Sequence, residues 1–433
     1  MTQFFQVSDL KGREILDSRG RPTVEATCTL ASGEIGRASV PSGASTGRRE
    51  AVELRDGDPK RYRGLGCRRA AAKVGGLLLE RCRNASYNSQ AQFDNDLLHS
   101  DGTPDKSQAG ANAILAASLA FARAAASQLG VPLYRYFAEY ARPKFRDRDK
   151  TPRLPRLTIN LFSGGKHAGG QVPIQDVLIV PASASTIEEA LAMSYEVYQS
   201  AAELIRDRYS QRALTADEGG LAPPFPSVES MFDDAVASIR RAGFEPGNDV
   251  ALAIDVAASH FYAGDQLYDF GDEQLRSEAL VQRLSDWVAN HPIVSVEDGL
   301  AEDDWQHWPA LRKRLENRAL TLGDDLLCTN PGLVERAIRD RAADALLLKV
   351  NQVGTVTEAA ESLRLARDAG WRVTVSARSG ETEDNWLADL AVGWRGDQIK
   401  IGSITQSERL AKYNRLLEIE AETRTGVCLW PLA

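Results

Sequence analysis

In the second half of the chain, short apolar runs alternate with longer amphipathic stretches, and the runs share one property. Those at 251–254, 293–296, 320–322, 345–348, 372–375 and 398–399 lead at their C-terminal ends into Asp255, Glu297, Asp324, Lys349, Ser376 and Lys400, and a further run lies at 177–180. This alternation predicts parallel strands joined by crossover helices. When such strands close into a ring, apolar side chains fill the interior and the residues at the C-terminal strand ends converge on one rim. A single charged strand end carries little information. Three acids followed by two lysines, in order, are hard to explain as solvated surface, because the rim of a barrel is partly shielded from water. The expected class is therefore α/β, with a TIM-like barrel as the larger unit. A barrel takes about 250 residues, so a chain of 433 leaves room for a second, smaller domain.

That second domain is expected first in sequence. Polar and apolar residues alternate over 24–30 and again from Gly33 to Val40, a hairpin pattern, and helical stretches follow. The alanine-rich segment 109–130 has the apolarity of a membrane span, but Asn112, Arg123 and Ser127 interrupt it, which fits a tightly packed internal helix. Between 141 and 156 the text ARPKFRDRDKTPRLPR is basic, proline-containing and aperiodic. It divides a domain at 1–140 from a barrel at 157–433. With 43% hydrophobic and 26% charged residues the chain is globular in composition. A formal charge of −8 repels nucleic acid and anionic lipid, so an anionic substrate must be gripped by a local site. Five scattered cysteines and an N-terminus carrying Asp9, Lys11, Arg13 and Glu14 fit a reducing cytoplasm better than export.

Asp255, Glu297 and Asp324 offer only oxygen ligands, and no His or Cys cluster competes for a softer ion, so magnesium is the expected metal. The plainer alternative pairs each acid with a rim lysine or arginine. Like charges gathered at one place are costly without a cation, which favours the metal. Lys349 and Lys400 beside it would hold their protons less tightly, as a lysine base must. Glu218, in TADEGGLAP, lies in a glycine-rich loop and is placed to act as an acid. His167, in SGGKHAGGQ, occupies a similar loop and is equally consistent with a packing role. VPSGASTGRRE has the character of a lid, with Ser45 its expected contact, and Arg378 with Ser379 in SARSGETED suits a cluster of phosphoryl oxygens.

These motifs, together with DSRGRPTVEA, ANAILAASLA, VSVEDGL, LKVNQVG and IKIGS, closely resemble the enolases over nearly the whole chain. The resemblance implies an N-terminal α+β capping domain set against a modified (β/α)8 barrel, with at least a homodimer as the assembly. It also implies roles: Asp255, Glu297 and Asp324 as magnesium ligands, Lys349 as base, Glu218 as acid and Lys400 as carboxylate partner. Ser45 matches the lid serine that reaches a second magnesium, and Arg378 with Ser379 match the phosphate-binding pair. His167 and Asp176 complete the expected catalytic set.

Several positions depart from the enolase pattern. VSARSGE has Ala377 where the family carries histidine, Asp176 stands for a glutamate one methylene longer, and Gln406 stands for an arginine. The parts expected to handle carboxylate, metal and α-proton are intact; those around the phosphorus and the leaving hydroxyl are altered. The resemblance therefore points to an enolase-like hydro-lyase acting on a small phosphorylated or phosphinylated carboxylic acid, similar to carboxyphosphonoenolpyruvate synthase. Two alternatives stay open, a glycolytic enolase using 2-phosphoglycerate and a non-catalytic binding scaffold.

Overall fold

The computed structural model describes residues 4–43, 47–139, 141 and 152–430. Ser45 and most of the expected linker lie outside these residues.

In the N-terminal domain β1 (Phe5–Leu16), β2 (Pro22–Leu30) and β3 (Ile35–Ser39) form an antiparallel meander, and the two-residue β4 (Ser86–Tyr87) pairs with the start of β1. Asp17 closes the β1–β2 turn, because its Oδ1 accepts from the backbone N–H of Arg19 at 2.8 Å and of Arg21 at 2.9 Å. β1 is absent from the sequence reading, since the charged text KGRE breaks its alternation. The alanine-rich segment is helix Ala111–Leu129, in which every residue from Ala111 to Ala126 except Arg123 is buried. It lies against β2 and β3, and small side chains allow a very close approach. A Cβ on Gly36 of β3 would run into the backbone of Ala120 and Ala124. Among the described residues no single helix is long and apolar enough to cross a membrane.

The barrel consists of β5 (Arg156–Ser163), β6 (Asp176–Pro181), β7 (Val250–Asp255), β11 (Ile293–Glu297), β12 (Leu320–Gly323), β13 (Ala345–Leu348), β14 (Arg372–Ser376) and β15 (Gln398–Gly402), closed in that order. Between β7 and β11 a small antiparallel sheet is inserted, formed by β8 (Tyr262–Gly264), β9 (Leu267–Phe270) and β10 (Glu273–Arg276). Two expectations need correction. β5 begins at Arg156, which the sequence reading placed in the linker. Its run is broken by Thr158, Asn160 and Ser163, all buried within the barrel. β6, expected to be parallel, runs antiparallel to both neighbours, because the glycine-rich segment 164–175 is a hairpin connection with no crossover helix. The reversal places the start of β6, not its end, on the rim where the other strands end. Asp176 there pairs with Ser163 at the end of β5 and with Asp255 at the end of β7.

The first domain is fastened to this rim. Ser42 and Gly380 exchange backbone hydrogen bonds at 2.8 and 3.1 Å, and Ser18 N–H donates to the Glu381 carbonyl at 2.7 Å. Arg123, the one partly exposed residue in that stretch of its helix, reaches Asp384 at 2.9 Å. Buried Asp94 accepts from Thr357 N–H at 2.9 Å, capping helix Val356–Asp368 across the domain boundary.

Candidate active site

The strand ends converge as the barrel geometry requires. Asp255 and Glu297 are the last residues of β7 and β11 and pair in register. Asp324 and Lys349 follow the ends of β12 and β13, and Lys400 lies in β15 opposite Ser376. Lys400 Nζ donates to Asp255 Oδ2 at 2.9 Å and to Glu297 Oε2 at 2.7 Å. Lys349 Nζ is paired with Asp324 Oδ2, and Gln352 donates to the other Asp324 oxygen at 2.8 Å. Gln175 adds a hydrogen bond to Asp255 Oδ2 at 3.0 Å.

Three buried carboxylates face two lysines, so negative charge is in excess. Burial, with Asp255 and Asp324 close by, pushes the Glu297 carboxyl well above the usual range. Asp255 is lowered despite its burial, because Lys400 stands against it. Glu297 Oε1 is buried without a hydrogen-bond partner. An oxygen-only donor set, surplus negative charge and an orphaned carboxylate oxygen together fit a hard divalent cation. A neighbouring trio, Asp298, Asp324 and Asp325, also brings oxygens within 4.8 Å of one another. Asp298 there accepts the backbone N–H groups of Asp324 and Asp325 at 2.9 and 2.7 Å, which makes it a buttress for the rim.

Neither lysine shows the expected weakened hold on its proton: burial opposes the charge of Lys400, but Asp255 and Glu297 raise it well above the ordinary range, and Lys349 is raised too. Burial lowers its proton affinity, but Asp324 more than offsets this and raises it above the ordinary lysine range. Positive charge placed at the carboxylates would oppose that effect.

Across the cavity, Glu218, His167 and Asp176 bring ligand atoms within 4.8 Å of one another. Asp176 is fully buried and saturated. His167 Nδ1 lies 3.1 Å from its Oδ2, and Asn160 and Ser163 both donate to its Oδ1 at 2.7 Å. Burial disfavours a charged His167, yet Asp176 and Glu218 outweigh it and raise the imidazole to about 9. Burial raises the Glu218 carboxyl, but His167, Arg409 and Lys400 prevail and hold it below its usual value. Asp176 thus acts through His167, which in turn sits beside the expected acid.

Arg378 and Ser379 form the third side. Arg378 is pinned by Glu50, Nη1 to Oε2 at 3.0 Å and Nη2 to Oε1 at 3.2 Å, with Asn351 Oδ1 at 3.0 Å from Nη1. Ala377, buried, lines the same cavity as Glu218, Lys349, Arg378 and Lys400. That cavity offers about 20 Å³, room for roughly one water. Gln406, with its amide oriented to suit its neighbours, donates to the Asp217 carbonyl at 3.1 Å and to Glu408 at 2.9 Å. It therefore supports the Glu218 loop from outside the cavity.

Sequence reasoning missed Glu50, Gln175, Gln352, Asn351, Arg19 and Arg409. Glu50 ends VPSGASTGRRE, the segment read as a lid in which Ser45 alone was the expected contact. Only its position directly after the conspicuous small-residue segment marked it. Arg409 lies in an ordinary amphipathic helix and carried no signal, yet it is wholly buried and donates to the carbonyls of Arg378 and Ser379 at 2.7 and 2.6 Å.

Family models agree with this architecture. The model for the enolase N-terminal domain matches residues 7–137, and that for the enolase C-terminal TIM barrel domain matches residues 151–428. With both domains matched in order, over most of the chain and on either side of the boundary seen in the fold, the chain belongs to the enolase family.

Proposed function

We propose that the chain is a magnesium-dependent hydro-lyase that eliminates water from a 2-phosphoglycerate-like acid whose phosphorus carries a larger substituent than a phosphate ester does. This is the chemistry of carboxyphosphonoenolpyruvate synthase, in phosphonate and phosphinate natural-product biosynthesis. The observation that carries the reading is the contrast at Ala377. Lys349, Lys400, Asp255, Arg378 and Ser379 line one cavity, with Glu297 and Asp324 joined to it through the two lysines, while a methyl group occupies the wall beside the phosphorus pocket, where the family has an imidazole. Shortening that side chain enlarges the pocket and removes a donor.

Lys349 Nζ takes the proton from the carbon next to the carboxylate. The electron pair left behind forms the new double bond, and the hydroxyl on the neighbouring carbon leaves with a proton that the Glu218–His167 pair carries. Asp255, Glu297 and Asp324 would hold magnesium, which would supply positive charge to offset the negative charge of the deprotonated acid. Lys400, already shared between two of those acids, adds a second cation at the same place. His167 keeps a proton beside Glu218, and Asp176 keeps His167 oriented. Arg378 and Ser379 hold the phosphorus oxygens.

Purified protein with magnesium should dehydrate the carboxyphosphono acid faster than 2-phosphoglycerate. Ordinary enolase turnover of 2-phosphoglycerate, with no advantage for the larger acid, would instead identify a glycolytic enzyme. Failure to bind magnesium at all would leave the scaffold reading.

A further inference from the structure

We propose that Arg19, from the N-terminal domain, is a positioning residue of the anion pocket that turns the Ser379 hydroxyl into a dedicated donor, an inference resting on the phosphorus-binding role proposed above for Ser379. Arg19 Nη1 donates to Ser379 Oγ at 3.1 Å. A hydroxyl has one hydrogen and two lone pairs, whereas a guanidinium only donates. Arg19 therefore occupies a lone pair and leaves the hydrogen to be given elsewhere. Among the described residues no acceptor takes it, and Ser379 lines the cavity with Arg378 and Ala377. An anionic oxygen arriving there is its natural partner.

The rest of the arrangement fixes everything except that hydroxyl. Arg409 holds the carbonyls of Arg378 and Ser379 from the far side. Arg19 itself is 7% exposed and locked by its other nitrogen, with Nη2 donating to Ser42 Oγ at 3.0 Å, the Ser42 carbonyl at 3.1 Å, Asp17 Oδ2 at 3.2 Å and the Gly43 carbonyl at 3.4 Å. Ser42 Oγ in turn donates to Asp17 Oδ2 at 2.8 Å. The carboxylate that closes the β1–β2 turn thus aims a cation across the domain boundary. Gly380 permits this approach, since a Cβ there would collide with Arg19 Nη2 and Asp17 Oδ2.

A double-mutant cycle tests it, with Arg19→Met, Ser379→Ala and both together, read as the calorimetric dissociation constants of the carboxyphosphono acid and of 2-phosphoglycerate in magnesium. Each single change should weaken binding of the preferred acid by roughly 10- to 100-fold, the value of a hydrogen bond to a charged group. The double variant should be no weaker than Ser379→Ala alone, and KM should rise with kcat little changed. Arg19→Lys, which keeps a charged donor, should recover part of the loss, and it serves in the cycle if the methionine variant fails to fold. Losses that multiply, or a variant at Arg19 that binds like the parent, would sink the role of Arg19 while leaving Ser379 in place. If the parent chain binds neither acid, the phosphorus-binding role of Ser379 falls, and this inference falls with it.

Discussion

The two halves of the cavity are built differently. The carboxylate half is made of residues at the ends of β7, β11, β12 and β13 and within β15, and its side chains answer one another in direct ion pairs: Lys400 with Asp255 and Glu297, Lys349 with Asp324. The phosphorus half is assembled from loops and from the other domain, with Arg378 held by Glu50 and Ser379 by Arg19. Hydrogen-bonded strands fix atoms more tightly than loops do. The first half is therefore suited to a chemical step that tolerates little change, and the second to variation in what is bound. The departures from the enolase pattern follow this division, since Ala377, Asp176 and Gln406 all fall outside the strand-end ion pairs.

The comparison breaks most directly at Lys349. Replacing it with alanine should lower kcat/KM by roughly 10²- to 10⁴-fold; a small loss of activity would remove the carboxylate half from the chemistry. Next in size is Glu297→Gln. Magnesium should raise the melting midpoint of the parent protein, as a ligand that binds only the folded state does, and this rise should vanish in the variant. If it persists, the ion sits elsewhere. A smaller effect is expected in the phosphorus half. Ala377→His should shift preference towards 2-phosphoglycerate over the larger acid by about 10- to 100-fold in relative kcat/KM, the range available to a pocket contact. An unchanged ratio would mean that position 377 does not set specificity.

Two further tests sharpen the comparison. Although burial opposes its charge, Asp176 and Glu218 raise His167 in the folded protein to about 9, above an unfolded value near 6.5. Its contribution to stability is therefore complete below about pH 6.5, fades as pH rises and is gone above about pH 9. The melting midpoint should fall across that window, and His167→Gln should flatten the fall; an identical profile would show that the pair does not share a proton. The smallest effect belongs to Gln406→Ala, which should cost within about 1 kcal/mol of stability and leave substrate preference alone. A change in preference would bring Gln406 into the pocket.

How much of this was legible in sequence follows from the same division. Strand-end residues announce themselves because an apolar run stops at a charge, and Asp255, Glu297, Asp324, Lys349 and Lys400 all meet where the periodicity predicts. Strand direction is not written in periodicity, so the reversal of β6 was missed, although it is what brings Asp176 to His167. The partners of Arg378 and Ser379 were missed for another reason. Glu50, Arg19 and Arg409 are far from them in sequence: the docking of the two domains brings Glu50 and Arg19 to them, and the packing of the last helix on the barrel brings Arg409. β5 was hidden by its own polar residues, whose burial depends on the closure of the ring.

The small volume enclosed by Glu218, Lys349, Arg378 and their neighbours has a kinetic consequence. A space that admits one water does not admit a three-carbon acid bearing phosphorus, so the substrate arrives only when the wall moves. Association should then fall well below the diffusional ceiling of roughly 10⁸ to 10⁹ M⁻¹s⁻¹.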